Sequence, residues 1–254
     1  MNQLEVKKFE LHAETRDYQR RIKEAKKNIE TVFERYENPY VAISGGKDST
    51  VLHHLITKAC GYDEVDVFHF DQGLLALPGA RDQVEKIIQN YGGTDCIRTT
   101  EAMYDESISN EERHGHLHSG RHGWIKRLTE ERGWSLAILG IRAEESPDRR
   151  DRWSGTPPTH KMGDQLTVAP IHGLTTQDVW SYIVDNKLPY HDQYDEKGEL
   201  LNGIDKPHNR LSSFHSSGLD QMGERTISSF LYPDKTGEVK KLEESYNAGD
   251  EDES

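Results

Sequence analysis

The residues best suited to chemistry form one short run, which directly follows the apolar segment 40–43 and reads Ser44-Gly45-Gly46-Lys47-Asp48-Ser49-Thr50. Adjacent glycines let a backbone turn tightly and approach a ligand without a side-chain clash. Their amides, together with those that open a following helix, form a concave array of donors suited to phosphate oxygens. Ser44, Lys47 and Ser49 would add hydrogen bonds to the anion. The run therefore predicts a phosphate-binding loop.

This run is not a Walker A loop, because Asp48 rather than Ser or Thr follows Lys47, and Val41 stands where that pattern needs a glycine. The alternative is a plain strand-to-helix joint in which Asp48 or Ser49 caps the helix. We favour the phosphate loop, since a Ser-Gly-Gly-Lys-Asp-Ser run after a buried strand is far more specific than a pair of glycines alone.

Short apolar segments alternate with helical patterns around this run. Strands are predicted at 40–43, 65–70, 96–99, 136–139 and 166–169, and helices at 51–56, 81–91, 123–132 and 176–186. Such alternation predicts an α/β fold, a doubly wound parallel sheet with helices on both faces. Ligands of these sheets bind beyond the carboxyl ends of the strands, which is where the loop would lie.

Four segments are predicted along the chain. Apolar residues at helical spacings in 4–37 predict an N-terminal helical extension over 1–38, and the α/β domain follows at 39–190. The periodicity is lost after Pro189, so 191–234 is expected to form an irregular C-terminal lid or extension. Six acidic residues within 243–254 predict that 235–254 is an acidic disordered tail.

Composition excludes several classes of protein. The 254 residues carry 32 Lys and Arg against 45 Asp and Glu, a net charge of −13 that repels duplex phosphates and argues against nonspecific nucleic-acid binding. No apolar stretch approaches the roughly 20 residues of a membrane-spanning helix, and the amino terminus has no apolar signal core. The two cysteines cannot form a disulfide scaffold, a four-thiolate zinc site or an iron–sulfur cluster. We expect a soluble cytoplasmic protein.

Further motifs follow the loop in chain order: Asp71-Gln72-Gly73, then Gly140-Ile141-Arg142-Ala143-Glu144-Glu145-Ser146 with Arg149, then Val168-Ala169-Pro170-Ile171, Thr176-Gln177-Asp178-Val179-Trp180 and Leu188-Pro189-Tyr190. Together they resemble the PP-loop ATP pyrophosphatases, and among these the phosphoadenylyl-sulfate (PAPS) reductase branch. The resemblance runs from about residue 41 to 194 and implies an adenine nucleotide alpha-hydrolase-like fold. Gln72 departs from the Thr of the family's Asp-Thr-Gly turn.

The resemblance also implies which residues touch a ligand. ATP or a related adenine nucleotide would be bound by Ser44, Gly45, Gly46, Lys47, Asp48, Ser49, Thr50, Asp71, Gly73, Gly140, Arg142 and Arg149, with Lys47, Asp48 and Arg142 contributing to catalysis. Magnesium would arrive with the nucleotide, and Asp71 is either a ligand of that ion or a turn carboxylate. Arg142 is either an oxyanion ligand or part of a surface charge cluster with Glu144 and Glu145, and we favour the ligand.

In PP-loop ATPases a nucleophile attacks the α-phosphorus and pyrophosphate leaves, so the resemblance implies ATP pyrophosphatase or adenylyl-transfer activity. PAPS reductases use a cysteine near the carboxyl terminus, and some relatives carry iron–sulfur cysteines. This chain has no cysteine after Cys96, and Ser213 and Ser216 stand at the nearest Cys-x-x-Cys spacing. Thiol-dependent reduction is therefore excluded and no iron–sulfur cluster is expected. The alternative is a noncatalytic nucleotide-binding or assembly module repurposed from the family.

The segment 113–122 contains four histidines, which could bind zinc or nickel: His114, His116, His118 and His122. We expect a flexible glycine-bearing loop there, which would give a metal no preorganised geometry, and Arg113 and Arg121 would oppose a cation. A solvated or nucleotide-facing loop is therefore favoured.

The resemblance extends to partners. Family members often form homodimers, and reductase-like proteins occur in phage, in DNA-phosphorothioation systems and beside plasmid-borne CRISPR systems. A protein partner in a defence or DNA-modification complex is thus implied by the resemblance, although the sequence itself shows no such setting.

Overall fold

The computed structural model describes residues 1, 3–76, 79–162, 165–191 and 194. The strands within these ranges are β1 (Pro39–Ala42), β2 (Asp66–Phe70), β3 (Thr94–Arg98), β4 (Leu136–Leu139), β5 (Thr159–Met162) and β6 (Gln165–Val168). The α-helices there are α1 (Gln3–Ala13), α2 (Arg16–Arg35), α3 (Lys47–His54), α4 (Ala80–Tyr91), α5 (Asn110–Arg132), α6 (Pro147–Arg152) and α7 (Thr176–Asp185). A π-helical turn, Leu55–Ala59, continues α3.

All six strands belong to one sheet in the order β3-β2-β1-β4-β6-β5. Five strands are parallel, and only β5 runs antiparallel, at the edge beside β6. The predicted α/β fold is confirmed, with β5 as an added strand. Its sequence, Thr-His-Lys-Met, has two exposed residues and no apolar run, which is why the sequence did not reveal it.

The central strand β1 places the loop at the point where the strand order reverses. From β1 the chain first builds β2 and β3 on one side and then crosses to β4 on the other. Val41 lies opposite Val67 of β2 and Ile138 of β4, and all three side chains are fully buried. Crevices at such switch points are the usual ligand sites of open α/β sheets.

Helix α1 packs on α7, and α2 packs against α1 and the π-helical turn that follows α3. Helix α2 buries Ile22, Ile29 and Val32 on one face, and Thr15 caps its start by accepting a hydrogen bond from the Tyr18 amide. The predicted helical extension is therefore two helices joined by a short turn. Arg21 of α2 anchors the extension to Asp178 of α7 through two hydrogen bonds.

The expectation of a flexible loop over His114–His122 is wrong, because this segment lies within α5. Ser109 and Glu112 form a capping box that starts the helix well before the predicted position. A helix tolerates a glycine at a cost of about 1 kcal/mol. At Gly120 the glycine is needed, since a β-carbon there would lie 2.9 Å from Thr100 Cγ2. Leu117 is buried and helps to anchor the helix.

No helix within the described ranges is both long enough and apolar enough to cross a bilayer. The predicted lid at 191–234 lies outside the described residues except for 191 and 194, and the predicted acidic tail lies outside them altogether.

Candidate functional site

The loop after β1 turns at Gly45 and enters α3 at Lys47. Gly45 has a φ of +80°, a conformation that residues with a side chain rarely adopt. A β-carbon there would lie 3.2 Å from Val84 Cγ2 and 3.3 Å from the Ala80 carbonyl oxygen. Position 45 therefore requires glycine both for its backbone conformation and for the close approach of α4.

Side-chain hydroxyl groups form hydrogen bonds to the backbone of the loop. Ser49 Oγ donates to the Gly46 carbonyl oxygen at 2.9 Å and accepts from the Ser44 amide at 3.2 Å. Thr50 Oγ1 donates to the same Gly46 carbonyl at 3.0 Å. Gly46 is the N-cap residue of α3 and has no side chain with which to cap it. Ser49 thus organises the turn, which differs from the simple capping role considered as the alternative.

Asp48 bridges two buried cations. Its Oδ2 lies 2.7 Å from Lys47 Nζ, and its Oδ1 accepts from Arg142 Nε at 2.6 Å. The side chains of Lys47 and Arg142 are 0% exposed, whereas that of Asp48 is 13% exposed. Burial alone would raise the pKa of Asp48, but the charges and hydrogen bonds of Lys47 and Arg142 outweigh burial and lower it. Asp48 is therefore ionised at neutral pH.

Arg142 is held at the end of β4 by a set of acceptors. Its Nη1 donates to Glu144 Oε2 at 2.8 Å and to Thr176 Oγ1 at 3.2 Å, and its amide donates to Glu145 Oε2 at 3.0 Å. Burial would lower the pKa of Arg142, but the charges of Asp48, Glu145 and Glu144 raise it. Because Arg142 is fully buried, the surface charge cluster considered as an alternative does not describe it.

One nitrogen of the Arg142 guanidinium, Nη2, is buried and has no hydrogen-bond partner among the described residues. On the opposite flank of the loop, Gln83 of α4 is 8% exposed and its Nε2 is also buried without a partner in the same part of the chain. The Gln83 Cβ lies 3.9 Å from where a β-carbon of Gly45 would be. Buried polar groups almost always find a partner, so two orphaned donors beside one loop point to an acceptor that completes them.

Tyr194 covers Lys47 from the segment that follows α7. Its hydroxyl oxygen accepts from the Lys47 amide at 3.2 Å, and its ring centroid lies 5.8 Å from Lys47 Nζ. The ring also packs edge-on against Trp180, with centroids 5.2 Å apart. Neither Gln83 nor Tyr194 was among the site residues predicted from the sequence. A polar residue on the buried face of α4, beside Val84, is the signal that could have revealed Gln83.

Asp71 and Gly73 lie just past the end of β2, the strand next to β1. Asp71 Oδ1 accepts from the Gly73 amide at 3.0 Å, while Oδ2 accepts from Arg81 Nη1 at 3.0 Å and from the Tyr104 hydroxyl at 2.5 Å. Burial would raise the pKa of Asp71, but these three hydrogen bonds lower it. The contact to Gly73 is the turn role predicted as one of two alternatives.

Glycines permit the close backbone contacts at both strand ends. At Gly73, which has a φ of +53°, a β-carbon would lie 2.3 Å from the Met103 carbonyl oxygen. At Gly140 it would lie 3.1 Å from Ser49 N and from the Asp48 carbonyl carbon. The end of β4 therefore touches the backbone of the loop.

The described geometry has counterparts among known proteins. The family model for the phosphoadenosine phosphosulfate reductase domain matches residues 38–229. The chain belongs to this family.

The individual relatives of this PAPS reductase domain protein described here have low sequence identity to it. An uncharacterized protein of Methanocaldococcus jannaschii is 30% identical over 182 residues, which cover 67% of this chain and 36% of that protein. Sulfate adenylyltransferase subunit 2 of Mycobacterium tuberculosis is 26% identical over 178 residues, which cover 61% of this chain and 57% of the subunit. The match thus spans less than two thirds of either relative's length.

Among solved structures, Candida glabrata FMN adenylyltransferase in complex with FMN and the ATP analog AMPCPP superposes with a TM-score of 0.52. The two sequences are 16% identical, and the superposition covers 70% of this chain and 60% of that chain. A likeness at this level of identity concerns the fold alone.

Arg149, the last site residue implied by the PAPS reductase motif, lies on α6 and does not join the loop directly. Its Nη1 forms an ion pair with Glu145, the carboxylate that also accepts from the Arg142 amide. The structure therefore brings the loop, Gly140 and Arg142 together and connects Arg149 to them through Glu145. Arg150, its exposed neighbour, makes no ion pair with another described residue.

The thiols of this PAPS reductase domain protein are poorly suited to nucleophilic chemistry. Burial raises the pKa of both Cys60 and Cys96 to about 11, so each remains a protonated thiol at neutral pH. His69, the histidine nearest the loop in sequence, bonds the Ile43 carbonyl oxygen through Nδ1 at 2.9 Å, and burial lowers its pKa. His69 and Cys96 lie within the sheet, and Cys60 packs against the core at the end of the π-helical turn.

Proposed function

We propose that this PAPS reductase domain protein binds ATP or a related adenine nucleotide at the loop Ser44–Thr50 and cleaves the bond between its α- and β-phosphates, releasing pyrophosphate. The observation that carries the proposal is the pair of buried, orphaned donors, Gln83 Nε2 and Arg142 Nη2, on opposite flanks of a glycine loop. The mycobacterial relatives named sulfate adenylyltransferase subunit 2 support adenylyl transfer as the reaction class.

The donors around the loop match an anionic ligand. The first hydrogen bond within α3 runs from the Thr50 amide to the Gly46 carbonyl at 3.0 Å, so the amides of Asp48 and Ser49 have no acceptor within the helix. The positive end of the helix dipole faces the same space, although it contributes only about 0.3–1 kcal/mol. Arg142 Nη2 would supply a charge-assisted hydrogen bond, which is stronger.

Catalysis would consist of positioning and charge neutralisation. When the α–β bond breaks, negative charge grows on the leaving pyrophosphate, and preorganised cations stabilise that charge best in a site shielded from water. Lys47 and Arg142 are buried cations fixed by Asp48, so they would not need to reorganise during the reaction. A phosphate oxygen that binds the Lys47 amide would take the place of the Tyr194 hydroxyl.

The described carboxylates do not form a magnesium site of their own. Both oxygens of Asp48 are taken by cations, and the Asp71 oxygens accept hydrogen bonds from Gly73, Arg81 and Tyr104. Across the described ranges, no group of three or more His, Cys, Asp or Glu side chains is arranged to hold a metal ion. Magnesium would therefore enter as part of the substrate, bound to the phosphates.

The test is incubation of the protein with magnesium and ATP labelled in the adenine ring, followed by separation of AMP, ADP and any adenylylated product, with a parallel assay for pyrophosphate. We expect AMP or an adenylylated product together with pyrophosphate, and a large loss of both with Arg142→Ala. Arg152→Ala is the matched control, because Arg152 is an exposed arginine paired with Asp148. Equal turnover by wild type and Arg142→Ala would refute the assignment.

A noncatalytic nucleotide-binding module is the second candidate. It is favoured by the saturation of Asp48, since both of its carboxylate oxygens are bonded to buried cations and are not free to act as a base. Calorimetry with a non-hydrolysable ATP analogue separates the candidates. Binding without product formation would support the module, and no binding of any adenylate would eliminate both.

A further inference from the structure

Helix α5 carries a row of histidines that the nucleotide site does not use. On an α-helix, residues four apart lie on the same face, about 40° from each other. His114, His118 and His122 follow this spacing within α5, whereas His116 points about 160° away from His118. His118 and His122 are both exposed, and His114 is half-buried. The helical conformation removes one of the two arguments against a metal, the lack of preorganised geometry, whereas the charges of Arg113 and Arg121 remain to be considered.

One hydrogen bond fixes the tautomer of His122. Its Nδ1 lies 2.8 Å from the His118 carbonyl oxygen. A carbonyl oxygen only accepts, so Nδ1 carries the proton and the lone pair of the neutral ring is on Nε2. Histidines that bind metals commonly have their second nitrogen held in this way by a backbone carbonyl.

We propose that His118 and His122 chelate a borderline divalent cation, Zn²⁺, Ni²⁺ or Cu²⁺, on the exposed face of α5. Imidazole nitrogen suits these ions, and two histidines four residues apart on a helix are a known chelating arrangement. Water would complete the coordination sphere, because a structural zinc site would need four protein ligands. This site is separate from the loop and does not depend on the proposed nucleotide function.

Charged neighbours limit the affinity and explain why we choose this pair. Arg121 lies next to the row and repels a cation. Arg113 donates to the Asn110 side chain and to the Ile108 carbonyl oxygen, which hold its guanidinium near the start of α5. His118 and His122 are both exposed, whereas His114 is half-buried, so this pair leaves a bound cation the most room for water ligands.

The experiment is a titration of tag-free, full-length protein with NiCl₂ and ZnCl₂ by calorimetry, with MgCl₂ as the hard-cation control. We expect one site for Ni²⁺ or Zn²⁺, no heat with Mg²⁺, and at least a tenfold loss of affinity in His118→Ala and in His122→Ala. His116→Ala is the matched control and should bind as wild type does. Circular dichroism of the metal-free variants verifies that α5 is intact, and His118→Gln and His122→Gln replace any alanine variant that misfolds.

Three outcomes would overturn the proposal. These are the absence of saturable binding by wild type, wild-type affinity in His122→Ala, and a loss in His116→Ala as large as that in His118→Ala.

Discussion

Replacing Asp48 by Asn tests the arrangement on which the site depends. The change keeps the size of the side chain but removes the charge that lies between Lys47 Nζ at 2.7 Å and Arg142 Nε at 2.6 Å. Removing one partner of a buried ion pair costs about 3–5 kcal/mol, because the remaining charge stays buried without compensation. Asn retains one acceptor oxygen, so we expect a loss near the lower end, about 3 kcal/mol of unfolding free energy.

The assay is urea unfolding at neutral pH, with Asp148→Asn as the control, since Asp148 forms an exposed pair with Arg152 and should contribute little. Pyrophosphate should stabilise Asp48→Asn more than wild type, because the anion would meet two cations that no carboxylate neutralises. A saturating ligand adds about 2.7 kcal/mol at a hundred times its dissociation constant. A loss below about 1 kcal/mol in Asp48→Asn would refute the buried-pair reasoning, which requires several times that amount.

The same pair predicts a pH dependence. The pKa of Asp48 is lower in the folded protein than in the unfolded chain. The ionised carboxylate therefore stabilises the fold fully at any pH above the unfolded-state pKa. This stabilisation is lost as the pH falls through the folded-state pKa. Wild type should therefore lose stability below about pH 4, the ordinary range of an Asp side chain. Asp48→Asn should show a shallower loss there, measured by urea unfolding between pH 2 and 7, and an identical slope would contradict the assignment.

Three further variants test neighbouring contacts. Gly45→Ala should lower the unfolding free energy by at least about 1–2 kcal/mol, because a side chain at positive φ is strained, and a thermal melt that matches wild type would contradict this. Gln83→Leu should leave stability unchanged or improved, since it removes an orphaned buried amide, but should weaken ATP binding in calorimetry; unaltered affinity would remove Gln83 from the site. Tyr194→Phe should tighten pyrophosphate binding by about fivefold, the equivalent of one hydrogen bond of about 1 kcal/mol at the Lys47 amide, and weaker binding would show that the hydroxyl assists the ligand.

The sheet was predictable because its strands are buried on both faces and thus appear as continuous apolar runs. Leu136–Leu139 is such a run, and the structure places β4 at those residues. Strand β5 was not predictable in this way, because an exposed edge strand needs no apolar residues. The capping box at Ser109 can be recognised in the sequence, but the glycines and histidines that follow it favoured the prediction of a loop. In the structure the segment is helical and buries Leu117, a tertiary contact that the local sequence does not reveal.

Residue types revealed the loop, but not the contacts that complete it. Asp48 and Arg142 are 94 positions apart, and only the pairing of β1 with β4 brings them together. Gln83 depends in the same way on how closely α4 approaches Gly45. Such contacts follow from the sheet order, which no local pattern specifies.

Asp178 of α7 links both N-terminal helices to the α/β domain. This fully buried carboxylate accepts two hydrogen bonds from Arg21, at 2.7 and 3.0 Å, and lies 2.7 Å from His12 Nε2. Two positions earlier, Thr176 supports the Arg142 guanidinium. A fragment that began at residue 39 would lose the Arg21 and His12 contacts to Asp178 and would uncover the face of α7 on which α1 packs. Proteolytic removal of α1 and α2 should therefore weaken nucleotide binding, even though the cleavage leaves the loop itself intact.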